Sequence, residues 1–200
     1  MSVVEWDRAE LAAAAEEVLD VYAEAMDVPR HLAGSRRSIL SSHLDRAGLR
    51  TVAARDDAGR LVGIAYGHLG EHGQWWHDRV QVALVDALGA EQAASWLRDA
   101  FEVCELHVRP GQQGTGLGRA LLARLLAGTP APTALLTTPD SETRARGFYR
   151  AGGWVDLVRH LRFPGDPRAF AVLGLRLPPD GADRADAAGR GGTAEAGAQR

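Results

Sequence analysis

The chain has 200 residues, of which 46% are hydrophobic, and a formal net charge of -3. That describes one domain of ordinary size, apolar enough to build a core and lacking the basic field that draws a protein to nucleic acid or to an anionic membrane. All 23 basic residues are Arg, so every motif that requires Lys is excluded, and the single cysteine, Cys104, excludes an intrachain disulfide and a Cys-rich zinc framework.

The first residues lack a charged segment followed by an apolar one, and no run of eighteen apolar residues occurs. A cytoplasmic protein is therefore expected. Residues 3–6 are apolar enough for a short strand. Asp7 then stands at an N-cap position with Glu10 three residues on, as in a capping box. Leu11, Ala14, Val18, Leu19, Val21 and Tyr22 recur at helical spacing, which predicts a helix over 8–26. Pro29 opens a second amphipathic stretch to Ala47, and Gly48 closes it. Residues 49–55 and 61–68 read as a hairpin joined by Asp56-Asp57-Ala58-Gly59. Residues 70–99 form a long insertion, polar and aromatic at first and helical from Arg79, with Gly89 as a break. Strands follow at 101–108, 133–138, 154–162 and 170–177, with helices at 117–126 and from 141 or 142 to 151. This order makes an α/β domain with a mixed sheet over 1–177. Residues 178–200 contain no aromatic residue and no Leu, Ile, Val or Met, so a disordered tail is expected.

The stretch ELHVRPGQQGTGLGRALLARLL, residues 105–126, carries the chemistry. A buried strand runs into a glycine-rich turn that opens a helix. Gly114, Gly116 and Gly118 let backbone N–H groups approach a ligand without a Cβ in the way. The helix start adds unpaired N–H groups and the positive end of its dipole, which together bind phosphate. Arg109 and Arg119 are placed to add charge. A P-loop is ruled out by the absence of Lys, and the spacing GxGxG departs from the dinucleotide fingerprint GxGxxG.

Gln113-Gly114-Thr115-Gly116-Leu117-Gly118 resembles the Q/R-x-x-G-x-G/A motif of GNAT acetyltransferases, and RARGFYRAGGW, residues 144–154, resembles that family's second signature. The likeness spans residues 3–177 and is specific over 101–154. It implies a mixed, mostly antiparallel central sheet flanked by helices and splayed between its fourth and fifth strands, with acetyl-CoA as cosubstrate in that cleft. It implies that Leu106, His107 and Val108 form the cofactor-facing strand, with the Val108 N–H polarising the thioester carbonyl. Backbone amides from Gly114 to Arg119 would hold the pyrophosphate, and Tyr149 would protonate the departing thiolate. The family's usual Glu on the fifth strand is replaced by Thr137, and its Asn before the second helix by Glu142. An acid on the preceding strand is the other base position; counting back from Gln113 gives Glu102, with Glu105 as the alternative.

The function so implied is N-acetyl transfer from acetyl-CoA to a primary amine of a small molecule or peptide, by a monomer or homodimer. The rival reading is a degenerate domain that binds acyl-CoA as a sensor. His68, His72 and His77 do not form a recognisable metal spacing, and no metal is expected. The 70–99 insertion is expected to cover the acceptor site. Adjacent Trp75 and Trp76 in an extended segment would face opposite ways, one inward and one lining the acceptor pocket. Cys104 is expected in the core, and in a regular strand His107 would lie on the other face from it.

Overall fold

The structure, a computed structural model, describes residues 2–178. The expected tail, apart from Pro178, lies outside the described residues. Strand β1, Ser2–Trp6, leads into a helix whose capping box forms as the spacing predicts: Asp7 accepts from the Glu10 N–H while the Glu10 carboxylate accepts from the Asp7 N–H at 2.7 Å. The expected single helix is two: α1, Arg8–Ala13, and α2, Ala15–Met26. Ala14 has a ψ of 11°, outside helical geometry, and breaks the run. After a 3₁₀ turn at Arg30–Ala33, α3 spans Gly34–His43. The hairpin is β2, Arg50–Arg55, and β3, Leu61–Leu69; the insertion is α4, Trp75–Leu88, and α5, Ala90–Leu97, separated by Gly89 at a φ of 83°. Then come β4, Phe101–Val108; α6, Leu117–Leu126; β5, Thr133–Pro139; α7, Arg144–Ala151; β6, Val155–Arg162; and β7, Ala169–Arg176.

The seven strands lie in the order β1-β2-β3-β4-β5-β7-β6. All neighbours are antiparallel except β4 and β5, which are parallel and pair only at Phe101–Ala134 and Glu102–Leu135. Beyond that second rung the two strands part, so the sheet is splayed where the resemblance placed it. Helices cover both faces. On one face α6 buries Leu117, Leu121, Leu122 and Leu125 against Val62, Ala65, Phe101 and Val103, joined by Phe148, Tyr149 and Trp154. On the other, α1–α3 cover β2–β4 through Leu11, Val18, Val21, Ile64 and Tyr66, while α4 and α5 cover β5–β7 through Val80, Leu84, Leu97, Leu135 and Val172. The border between these two helix groups, the groove side of the sheet, follows the gap between β4 and β5.

Helix α7 adds an ion network to the apolar contacts of Phe148 and Tyr149. The fully buried Arg146 bonds Asp140 at 2.8 Å and Asp156 at 2.7 Å, and Asp140 also accepts from Arg159 and from the His160 N–H. Burial works to raise both carboxyl pKa values, but these bonds outweigh it and hold them below the usual carboxylate range. Arg146→Met is expected to cost roughly 3 kcal/mol of unfolding free energy, since it strips a partner from buried carboxylates. Depressed pKa values mean that this contribution is present above an ordinary Asp pKa, about 3.9, and is lost as pH falls below it. Urea unfolding at neutral pH and at acid pH measures both effects; equal midpoints for variant and wild type at neutral pH would show that the network adds nothing.

Candidate active site

The cleft owes its shape to a β-bulge in β4. Tyr66 pairs with Glu105 and Gly67 with Val103, so Cys104 is an extra residue opposite the step. Gly67 permits it: a Cβ there would lie 2.2 Å from the Glu102 carbonyl oxygen. The bulge resets the alternation of the strand. Phe101, Val103, Leu106 and Val108 face α6, whereas Glu102, Cys104, Glu105 and His107 face the groove side. The expectation that Cys104 and His107 lie on opposite faces is thereby corrected.

The Arg109 N–H bonds the Val62 carbonyl at 2.9 Å, and Ile64 pairs with His107. In an antiparallel ladder the N–H groups of alternate residues point the same way. Those of Leu106 and Val108 therefore point away from β3, into the gap where β5 has diverged. Two backbone donors thus line the gap, Val108 as expected and Leu106 beside it.

At the mouth of the gap, Gly114 and Gly116 have φ of 82° and 91°. Gly116 is the N-cap of α6, with no side chain to occupy the first turn and no atom within 4 Å of where a Cβ would sit. No acidic residue lies in that first turn, which carries Arg119 instead. Gln113 steadies the loop, its amide donating to the Val108 carbonyl at 3.0 Å, and the Thr115 hydroxyl donates to the Gln112 carbonyl at 2.8 Å. The exposed helix start, open glycines and local positive charge form an anion cradle. Arg144 of α7 leans over it, bonding the Gln113 side chain at 3.3 Å. Arg109 does not contribute: its Nε donates to the Leu61 carbonyl at 2.6 Å and its guanidinium pairs with Glu24, on the groove side. A pocket of about 170 Å³ lies beside Arg119 between α6 and α7, walled by Leu122, Phe148, Trp154 and Leu175.

Tyr149 packs edge-on to Phe148 and Trp154, with ring centroids 5.1 and 5.6 Å away. Burial, with Glu105 adding to it, pushes its phenol pKa well above the usual value, so the ring keeps its proton. The two candidate bases differ in surroundings. Glu102 is buried at the last rung before the strands part, its carboxylate 2.8 Å from His77 Nδ1. Glu105 bonds His107 Nε2 at 2.5 Å and Arg36 at 3.2 Å. Burial acts to raise the pKa of Glu105, but His107 and Arg36 outweigh it and hold the group below the usual carboxylate range.

Residues 15–153 match the model of the acetyltransferase (GNAT) family. This chain belongs to that family. It is 36% identical to the GCN5-like protein acetyltransferase Rv2170 of Mycobacterium tuberculosis, over 81% of this chain and 91% of that one. In fold it is similar to a GNAT-family acetyltransferase from Desulfovibrio desulfuricans, with a TM-score of 0.62 at 18% identity over 88% of this chain and 99% of the other. It is also similar to the acetyltransferase yncA from Salmonella typhimurium, solved with its cofactor acetyl-CoA, with a TM-score of 0.58 at 16% identity over 91% and 96%.

Set in this GNAT frame, the 70–99 insertion clasps the gap from the groove side. Trp76 Nε1 donates to Thr137 Oγ1 on β5 at 3.2 Å, while the next residue, His77, holds Glu102 on β4. One turn of α4 thus bridges both splayed strands. The two tryptophans are helical rather than extended, because α4 begins four residues earlier than its sequence pattern predicts. They still diverge: Trp76 is packed against the α4–α5 core, and Trp75 is 56% exposed, stacked near Phe163 of the β6–β7 loop at 5.3 Å. The groove's other wall holds Tyr22, with Arg36 stacked on its ring at 4.9 Å and His107 edge-on at 5.2 Å. Sequence reasoning did not find Arg36, Tyr22 or Arg144, and it placed His77 on the acceptor side without pairing it to Glu102. The positions of Tyr22 and Arg36 on α2 and α3 carry no motif; only packing brings them to β4. Glu142, at the family's Asn position, is turned to Arg150 at 3.1 Å. Among the described residues no helix is long and apolar enough to cross a membrane.

Proposed function

We propose that this GNAT domain moves an acetyl group from acetyl-CoA to a primary amine by direct attack in a ternary complex. The observation that carries the reading is the gap between β4 and β5, lined by two free backbone donors and opening at an anion cradle. Bound acetyl-CoA supplies the activated thioester. Gln113, Gly114, Thr115, Gly116, Leu117, Gly118 and Arg119 offer the pyrophosphate a turn of amides and a positive helix end. We place the adenosine end at the apolar pocket beside Arg119. The N–H groups of Leu106 and Val108 are fixed donors for the carbonyl oxygen on which charge develops. As the new C–N bond forms, the C–S bond breaks; the ammonium proton leaves to a base and the thiolate takes one from Tyr149, whose neutral phenol suits that work.

Of the two acids we assign the base to Glu102. Glu105 is neutralised by Arg36 and held at a pKa that makes it a weak proton acceptor, whereas Glu102 sits at the apex of the gap with one imidazole partner. Glu102→Gln is expected to lower kcat/KM by about 10²-fold and to remove the acid limb of its pH profile, with a smaller effect from Glu105→Gln. Full activity in Glu102→Gln would end this assignment.

The acceptor we assign is an amine on a protein or peptide. The name of the Mycobacterium relative supports it, as does the exposed Trp75 stacked near Phe163. Coenzyme A release measured across peptide and small-molecule amines tests this; turnover of small amines alone would overturn it. The replacement of the family's Glu by Thr137, already bonded to Trp76, favours a second reading as an acyl-CoA sensor. Tight acetyl-CoA binding with no release by any amine would select it.

A further inference from the structure

Beside the two candidate acids of β4, three side chains converge on the groove face. The ligand atoms of His43, His68 and Cys104 all lie within 4.8 Å of one another. They come from the last residue of α3, from β3 and from the bulge of β4. His68 is 3% exposed, and its Nδ1 lies 2.9 Å from the Leu69 carbonyl. A carbonyl only accepts, so Nδ1 carries the hydrogen and Nε2 keeps its lone pair, the arrangement by which a backbone carbonyl orients a metal-binding imidazole. His43 Nδ1 is buried and has no hydrogen-bond partner, and its ring centroid is 5.1 Å from that of His68. The Cys104 sulfur makes only a long contact to the Glu102 carbonyl, 3.6 Å, and receives the His68 backbone N–H.

We propose that His43, His68 and Cys104 form a zinc site on the groove face, with two neutral imidazoles, one thiolate and a fourth position open to solvent. Tetrahedral zinc holds nitrogen and sulfur ligands about 3.3–3.8 Å apart. The three atoms need to close by about 1 Å, within reach of side-chain rotation at the end of α3. Binding converts Cys104–SH to a zinc-bound thiolate and releases its proton to solvent. Glu102 and Glu105 on one side, and Arg36 and Arg46 on the other, are the charged groups that act on these three side chains. The carboxylates offset the net positive charge of the loaded site. The metal would tie α3 to β3 and β4 beside the acceptor groove. The spacing of 25 and 36 residues between the ligands explains why no sequence motif announces them.

The test is cobalt(II) added to the metal-free full chain, followed by zinc. The expected result is one equivalent bound, with a near-ultraviolet sulfur-to-cobalt charge-transfer band and tetrahedral visible bands that stoichiometric zinc abolishes. Cys104→Ser should lose the charge-transfer band, and His43→Gln should bind at least tenfold more weakly, both with unchanged melting temperatures without metal. His43 lies at the partly exposed end of its helix, so that variant keeps the fold. No band in the native chain, a band that survives Cys104→Ser, or unchanged affinity in His43→Gln would each overturn the proposal.

Discussion

Tyr149→Phe is expected to lower turnover by about 10²-fold while leaving acetyl-CoA affinity within twofold. The ring that contacts Phe148 and Trp154 is retained, so packing and fold persist. Only the hydroxyl is lost. Its proton is held on the ring across the working pH range, because burial and the nearby Glu105 both raise its pKa. A positioned acid contributes on the order of 10²–10⁴-fold, and thiolate is a good enough leaving group to place the loss at the low end. The effect belongs in kcat and not in ground-state binding, because the phenol acts where sulfur gains charge. Steady-state kinetics on an accepted amine, with acetyl-CoA binding by calorimetry, separates the two. Turnover within twofold of wild type would remove Tyr149 from the mechanism.

Gly116→Asp is expected to weaken acetyl-CoA about 100-fold, roughly 2.8 kcal/mol. It sets a carboxylate at the N-cap of α6, where the dipole and free amides await an anion, and the open space around Gly116 lets that carboxylate stand in the ligand's place. The backbone adds a second effect. A φ of 91° disfavours any residue with a Cβ by about 1–2 kcal/mol, so the variant also loses stability. Gly116→Ala carries the strain without the charge. Thermal unfolding should place the two variants together, while calorimetry should separate them, with Ala binding far more tightly than Asp. Equal affinities would mean that no phosphate sits there.

Both predictions rest on features legible in the sequence, because they depend on local chemistry. The alternating glycines before an amphipathic repeat specify an open helix start wherever the chain places it, and the helix runs over Leu117–Leu126 as its pattern predicts. The strand before it, Phe101–Val108, and the capping box at Asp7 are likewise local: an apolar run and a side chain reaching three residues on. What the sequence could not show was which residues meet across the fold. The bulge at Cys104 arises from the fit of β4 against Gly67 on β3, and it alone turns Glu105 and His107 to the same face as Glu102 and Cys104. A one-residue slip in alternation exchanges every side chain between faces, so no periodicity read along β4 locates its acids. The pairing of His77 with Glu102, the Trp76 bond to Thr137 and the meeting of His43, His68 and Cys104 join residues 25 to 61 apart in the chain. Composition and pattern determined a mixed α/β fold with a glycine-rich turn opening a helix; the packing of α3 and α4 over the splayed strands decided which side chains surround the gap, because contact depends on the folded path and not on spacing.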